Sequence, residues 1–208
     1  MPHLEIETTV YRETGLSTIA GIDEAGRGAL AGPVAAAAVI LPQDVANLAD
    51  VLCEVNDSKQ LTPATRERLF DLVTENALAY GVSLVSARVV DEIGIVPATK
   101  RAMATAVAKL SPPAGYLLID GPIRLATLPL PQQPVIRGDT LCLSIAAASI
   151  LAKVSRDRYM IELDARYPQY GFARHKGYGT PQHLAALAIH GPSPAHRHSF
   201  APIRTTLL

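Results

Sequence analysis

Apolar residues in this chain gather into short runs ended by glycine turns, and elsewhere recur at helical spacing. Residues 17–23 read as a strand ending in the turn Gly26-Arg27-Gly28. Residues 33–41 form a second apolar run, close enough behind the first to pair with it as a hairpin. The stretch Asp57-Ser58-Lys59-Gln60-Leu61-Thr62-Pro63 reads as a loop entering a helix. Thr62 suits the N-cap, Pro63 the first helical position, and Leu69, Leu72 and Val73 supply one apolar face. Gly81 is expected to break that helix, and residues 82–89 alternate as a third strand would. Residues 97–110 predict a helix opened by Pro97 and closed by Pro112-Pro113, and residues 116–119 a short strand ending at Asp120-Gly121.

Val135-Ile136 leads into Gly138-Asp139, after which a long helix is expected to about Arg166. The apolar run 141–152 is interrupted by Ser144 and Ser149 and falls short of the roughly 20 residues of a membrane span, so it reads as a buried helix. A loop rich in glycine, tyrosine and basic residues covers 167–180, and a last helix runs from near Pro181 to before Gly191-Pro192. Residues 1–16 read as a polar lead-in. Strands first, then strands interleaved with helices, predict an α/β fold: a mixed sheet flanked by helices, with the last helix and tail as a small lobe.

Composition narrows this picture. The chain has 208 residues, 49% of them apolar, and no Trp, so one large domain with an aliphatic core is expected. Net charge is zero, which by itself argues weakly against a nucleic-acid partner, although a basic groove beside an acidic metal site balances in the same way. Cys53 and Cys142 have no CxxC partner; they read as two lone thiols of a cytosolic protein, with a single disulfide as the alternative. Glu5, Glu7, Arg12 and Glu13 leave no apolar core for a signal peptide, so the expected compartment is cytoplasmic and no membrane contact is expected.

Candidate chemistry lies where strands meet glycine turns, at Asp23-Glu24, Asp120 and Asp139. Ligands of α/β proteins collect at strand ends, and converging carboxylates resist ionising together unless divalent cations such as Mg²⁺ or Mn²⁺ neutralise them. Two such ions suit phosphodiester hydrolysis. Each Asp has a plainer reading: Asp120-Gly121 as a turn, Asp139 as the N-cap of the helix behind it. Asp23 and Glu24 are harder to read that way, but neighbours on a regular strand face opposite sides. The strand therefore ends at Asp23, or Glu24 reaches the site by a bend. The stretch 21–28 is not a P-loop, because Arg27-Gly28 stands where Lys-Ser/Thr is needed.

With these residues in view, the chain resembles bacterial ribonuclease HII, the type 2 ribonuclease H. The matching blocks are Gly21-Ile-Asp-Glu-Ala-Gly-Arg-Gly28, Asp57-Ser-Lys-Gln-Leu61, Leu118-Ile-Asp-Gly121 and Gly138-Asp139. Ile145-Ala-Ala-Ala-Ser-Ile150, Ala152-Lys153, Arg156-Asp157, His175-Lys-Gly-Tyr-Gly-Thr180, His196-Arg197 and Ser199-Phe200 follow in the family's order. Departures are residues 92–98, where the family often has a longer Asn-containing segment, and Arg137, where Lys is usual.

The resemblance implies an RNase H-like fold with a C-terminal helical extension. The corresponding divisions are a lead-in at 1–16, a catalytic domain at 17–166 and a loop and helical extension at 167–208. It further implies cleavage of RNA in RNA–DNA hybrids and 5′ of single ribonucleotides in duplex DNA, leaving 3′-hydroxyl and 5′-phosphate ends, as in ribonucleotide excision repair. Asp23, Glu24, Asp120 and Asp139 are then the catalytic metal ligands, for two Mn²⁺ or Mg²⁺ ions.

Telling RNA from DNA at one nucleotide requires contact with a 2′-hydroxyl. The resemblance assigns this to Gly26, Arg27 and Gly28, whose glycines allow close backbone approach, and to Tyr178, packing on the neighbouring sugar. Lys59 is the favoured phosphate contact, with Lys153, Arg156, Arg158 and Lys176 as further candidates. The histidines at 175, 183, 190, 196 and 198 lack cysteines at zinc spacing, and His196 and His198 are expected to stabilise the C-terminal lobe. A monomer is expected. The rival readings are a DNA-cutting enzyme on the same fold and a non-catalytic hybrid-binding module.

Overall fold

The computed structural model describes residues 2–43 and 47–206. The first residue of the expected lead-in and the last two of the expected extension lie outside them.

Apolar runs around the Gly26 turn form the expected hairpin. Strands β1 (Ile19–Ala25) and β2 (Val34–Ile40) pair antiparallel, with Asp23 opposite Ala37 and Glu24 opposite Ala36. β3 (Ala79–Val85) extends the sheet antiparallel to β2; β4 (Tyr116–Asp120) and β5 (Gln132–Val135) extend it parallel on the other side of β1. The order is β3-β2-β1-β4-β5, a mixed five-stranded sheet.

The helices in chain order are α1 (Glu5–Thr14), α2 (Leu48–Val51), α3 (Pro63–Asn76), α4 (Ala87–Ile93), α5 (Ile95–Ala108), α6 (Gly138–Leu141) and α7 (Leu143–Arg166). α8 (Phe172–His175), α9 (Pro181–His190) and α10 (Ile203–Thr206) follow. α5 covers one sheet face, packing Ala98, Ala102 and Met103 on Ala20, Ile22 and Ile119. α7 and α3 cover the other, where Ala146, Ala147, Ile150, Leu69 and Val73 meet Ala37 and Val39. Beyond the sheet edge Leu30, Met160, Tyr170, Phe172 and Leu187 form a smaller core under the C-terminal segment. Thr62 caps α3 as expected, its hydroxyl accepting from Thr65 N at 3.2 Å. Among the described residues no helix is long and apolar enough to cross a membrane.

The structure departs from local expectation in four places. The polar lead-in is largely helix α1: Glu7 is fully buried and accepts a hydrogen bond from Ser144 N at 2.8 Å. It thereby satisfies a free N–H in the first turn of α7, a position that also favours negative charge. β1 runs two residues past Asp23, because Glu24 and Ala25 find partners in Ala36 and Ala35. The strand expected at 82–89 lies earlier, since Ser86 accepts from Val89 N and starts α4; Gly81 therefore sits inside β3, where α5 closes on it, and α3 has already ended at Asn76. The helix expected after Gly138 is split at Cys142, which is extended (φ −114°, ψ 122°), while Leu143 N donates to His3 O at 3.1 Å.

The tightest approach joins α7 to β1. A Cβ at Gly21 would lie 2.2 Å from the Ser144 carbonyl carbon, a backbone atom that cannot swing aside. Gly21→Ala is therefore expected to lower stability by about 3 kcal/mol or more. Thermal denaturation should show it as a fall of roughly 2–4 °C per kcal/mol.

Candidate active site

Parallel pairing sets Ile22 beside Ile119, so Asp23 and Asp120 emerge next to one another at the carboxyl ends of β1 and β4. Asp139, the second residue of α6, reaches the same point from beyond β5. One oxygen from each of these three side chains lies within 4.8 Å of the others. Asp120 Oδ1 accepts from Gly138 N at 2.7 Å, tying the end of β4 to the start of α6. Arg137 occupies the N-cap position of α6, so Asp139 is not its cap. Asp23 Oδ1 accepts from Glu24 N at 2.7 Å, and Ser149, whose hydroxyl is 2.8 Å from Ser58 Oγ, lines the cavity beside the carboxylate and favours its charge.

Burial holds the Asp23 carboxyl well above the usual carboxylate range, and the charges of Asp120 and Glu24 raise it further. Asp120 is raised by burial and by Asp139, against backbone N–H groups that favour its charge. Glu24 is raised by burial and by Asp120, with Arg27 opposing. Lys59 Nζ lies 3.4 Å from Asp139 and 3.7 Å from Asp57 but stays exposed, so it only partly offsets the negative charge. An all-oxygen donor set of this kind fits hard divalent cations.

β1 remains regular through Ala25, so Glu24 does not join the three aspartates. Its side chain lies 3.5 Å from Arg27 Nη1 and lines the same cavity as Asp23, Asp120, the 26–28 turn, Lys59 and Tyr178. Gly26 has φ +83°, and a Cβ there would lie 1.8 Å from Arg156 Nε. The turn thus needs glycine at 26 for its backbone and its packing, whereas Gly28 is exposed and open.

The basic residues divide. Arg156 is completely buried, donating to Pro33 O at 2.9 Å and Ala31 O at 3.1 Å, so it supports the turn and is no phosphate contact. Arg158 pairs with Glu67, its Nε 3.0 Å from the carboxylate; Lys176 donates to Ala173 O. Lys153 pairs with Asp157 at 2.7 Å. Lys153 and Tyr178 nonetheless border both the cavity and an adjoining groove that holds Arg174 and Lys176. His196 is buried against His183, and His198 N donates to Asp91 at 2.9 Å, both in the C-terminal segment as expected. Both cysteines are free thiols. Glu7, Ser58 and Ser149 went unassigned at the level of sequence; a serine breaking an apolar helical run was the available signal for Ser149.

A mixed sheet in this strand order, with carboxylates side by side at the ends of its central parallel strands, defines an RNase H-like nuclease. Solved structures agree: the chain matches the ribonuclease H2 of Pyrococcus horikoshii with a TM-score of 0.75 and 26% identity, over 90% of this chain and 95% of that one. It matches RNase HII in the PCNA:RNase HII complex of Archaeoglobus fulgidus at 0.74 and 27%, covering 88% and 95%. The family model for ribonuclease HII matches residues 20–203. Ribonuclease HII of Geobacillus thermodenitrificans is 60% identical over 195 residues, 93% of this chain and 72% of the relative. That of Ruminiclostridium cellulolyticum is 54% identical over 186, covering 89% and 71%. The chain belongs to the ribonuclease HII family, type 2 ribonuclease H endonucleases that depend on divalent metal and act on RNA–DNA hybrids.

The raised carboxyls have a sign that can be measured. In EDTA the folded state holds protons that the unfolded chain has already released, so stability falls as pH rises from about 4 through the folded-state values of Asp23 and Asp120. Melting temperature at neutral pH should rise on adding Mg²⁺. Asp23→Asn should melt higher than the parent in EDTA and gain less from Mg²⁺.

Proposed function

We propose that the chain incises on the 5′ side of ribonucleotides, in RNA–DNA hybrids and at single ribonucleotides embedded in duplex DNA, leaving 3′-hydroxyl and 5′-phosphate ends. Asp23, Asp120 and Asp139 are the residues that would hold two Mg²⁺ or Mn²⁺ ions, and Glu24, outside their cluster but lining the same cavity, would complete the ligand set. The observation carrying this reading is the convergence of three aspartates within 4.8 Å beside the 26–28 turn. Bound there, divalent cations would lower the pKa of water and offset negative charge developing on the leaving oxygen.

The remaining chemistry belongs to the chain. Asp23 is the central ligand, its orientation set by Glu24 N. Glu24 comes from the opposite face of β1 and closes the cavity toward Arg27. The exposed backbone at Arg27 and Gly28 contacts the 2′-hydroxyl, and the Tyr178 ring, with Arg156 5.4 Å beneath it, packs on the adjacent sugar. Lys59 meets a phosphate, and its exposure leaves it free to turn outward from Asp139. On this reading residues 17–166 are the catalytic unit, residues 167–208 supply the ribose-contacting loop and its support, and the protein works as a monomer on its duplex.

Asp23→Asn should fold and yet cut a duplex with one embedded ribonucleotide at least ~100-fold more slowly. That exceeds most of the roughly 10–100-fold range typical of residues one layer out from a metal. Near-parental activity would overturn the assignment. A matched all-DNA duplex should stay intact while end-mapping of the ribonucleotide substrate, in Mg²⁺ and in Mn²⁺, places the cut on the 5′ side. Efficient cutting of the all-DNA duplex would favour a DNA nuclease on the same fold.

A further inference from the structure

Three buried histidines under the Tyr178 loop have their tautomers dictated by backbone groups. Ser193 N donates to His196 Nδ1 at 2.9 Å, so in the neutral ring the proton sits on Nε2. His196 Nε2 is 3.0 Å from His183 Nε2, which must then accept, leaving the proton of His183 on Nδ1. That nitrogen lies 2.9 Å from the Tyr178 carbonyl, which also accepts from Thr180 N at 2.8 Å. His175 stacks on His183 with ring centroids 4.4 Å apart; it accepts from Gly177 N through Nδ1 and donates to Tyr170 O through Nε2. His183 and His196 are almost wholly removed from solvent.

The same segment grips the turn on the other side of the cavity. His196 forms an isolated bridge with Ala31, Arg197 N donates to Leu30 O at 2.8 Å, and Gly32 N donates to Ala195 O at 2.9 Å. Arg197 Nη1 donates to Arg27 O at 2.9 Å. Residues 195–197 therefore hold the backbone that follows Gly28 directly, while the His196 side chain reaches Tyr178 through His183.

We infer that the directed chain Ser193–His196–His183–Tyr178 is a positioning relay that sets the Tyr178 loop against the 26–28 turn, and so fixes the width of the ribose-reading gap. His183 and His196 touch no substrate; they act through the Tyr178 backbone. The inference rests on the reading of Tyr178 as a sugar contact given above. A chain of donors running one way suits the task, because neither ring can take a proton without turning two N–H groups toward each other. Burial accordingly lowers the pKa of both, that of His196 to about 4.

His183→Phe keeps the ring volume that packs on Phe172 and His175 but removes both nitrogens. His183→Asn retains an N–H at the Nδ1 position, able to donate to the Tyr178 carbonyl. On a duplex with one embedded ribonucleotide, kcat/KM should fall about 10-fold for His183→Phe and recover to within about 3-fold for His183→Asn. Tyr178→Ala should cost at least as much, and adding His183→Phe to it should cost nothing more, because one acts through the other.

Parental kcat/KM in His183→Phe with a loss in Tyr178→Ala would overturn the relay alone, as would additive losses in the double variant. Parental kcat/KM in Tyr178→Ala would overturn the reading of Tyr178 itself. Should the Phe variant fail to fold, imidazole nitrogen NMR of the parent in Mg²⁺ decides. The relay requires neutral His183 protonated on Nδ1 and neutral His196 on Nε2, and the opposite tautomers would overturn it.

Discussion

The close approach of α7 to β1 organises most of this molecule. Gly21 presents no side chain to the first turn of the helix, and Ala37 with the alanines at 146–148 keeps the rest of the contact thin. Only because the helix lies this near does Ser149 line the cavity beside Asp23 and, through Ser58, steady the one-turn helix Ser58–Gln60 that carries Lys59. The same helix delivers Arg156 beneath the Gly26 turn and Met160 into the C-terminal core. Its N-terminus is capped from outside the sheet by Glu7, and that junction lies directly behind the short helix holding Asp139.

Against this rigid frame the three aspartates are a deliberate conflict. Backbone N–H groups favour charge on Asp23 and Asp120, but burial and mutual repulsion outweigh them. Such a centre destabilises the protein that carries it until positive charge is bound, which is the usual relation between an active site and the stability of its scaffold. Lys59 softens the conflict from the rim without removing it, being exposed and shared between Asp57 and Asp139.

Substrate-facing elements are built differently from the metal-facing ones. The carboxylates stand on strand ends and a helix start, whereas the 26–28 turn and the Tyr178 loop are irregular backbone. Irregular backbone holds a position only if something buried holds it, and here two arginines and three histidines do so. Arg156 and Arg197 each keep one buried nitrogen without a hydrogen-bond partner, and burial with the neighbouring Arg156 charge brings the Arg197 pKa down to about 10. Both guanidiniums donate to the backbone of the 27–33 segment, so Arg156, a candidate phosphate contact by sequence, holds the shape of the turn instead.

Much of this was open to reading from the chain alone. The hairpin around Gly26, the capped helix from Pro63, the strand into Asp120 and the helix from Pro181 follow from local patterns of apolar residues, caps and glycine turns, which need no distant partner to be recognised. Asp23-Glu24 stood out because charge at the end of a buried strand is costly without a partner, whereas Asp120 and Asp139 read equally well as a turn and a cap and gained weight only from the family resemblance. Tertiary structure alone decided the rest. Whether Glu24 shared the face of Asp23 depended on Ala35 and Ala36 extending the ladder two residues further. Whether Arg156 met solvent or backbone depended on a loop more than 120 residues away in sequence. The N-terminal helix and its buried Glu7 became visible only with Ser144 in place, because a carboxylate that caps a distant helix looks, in sequence, like one that faces water.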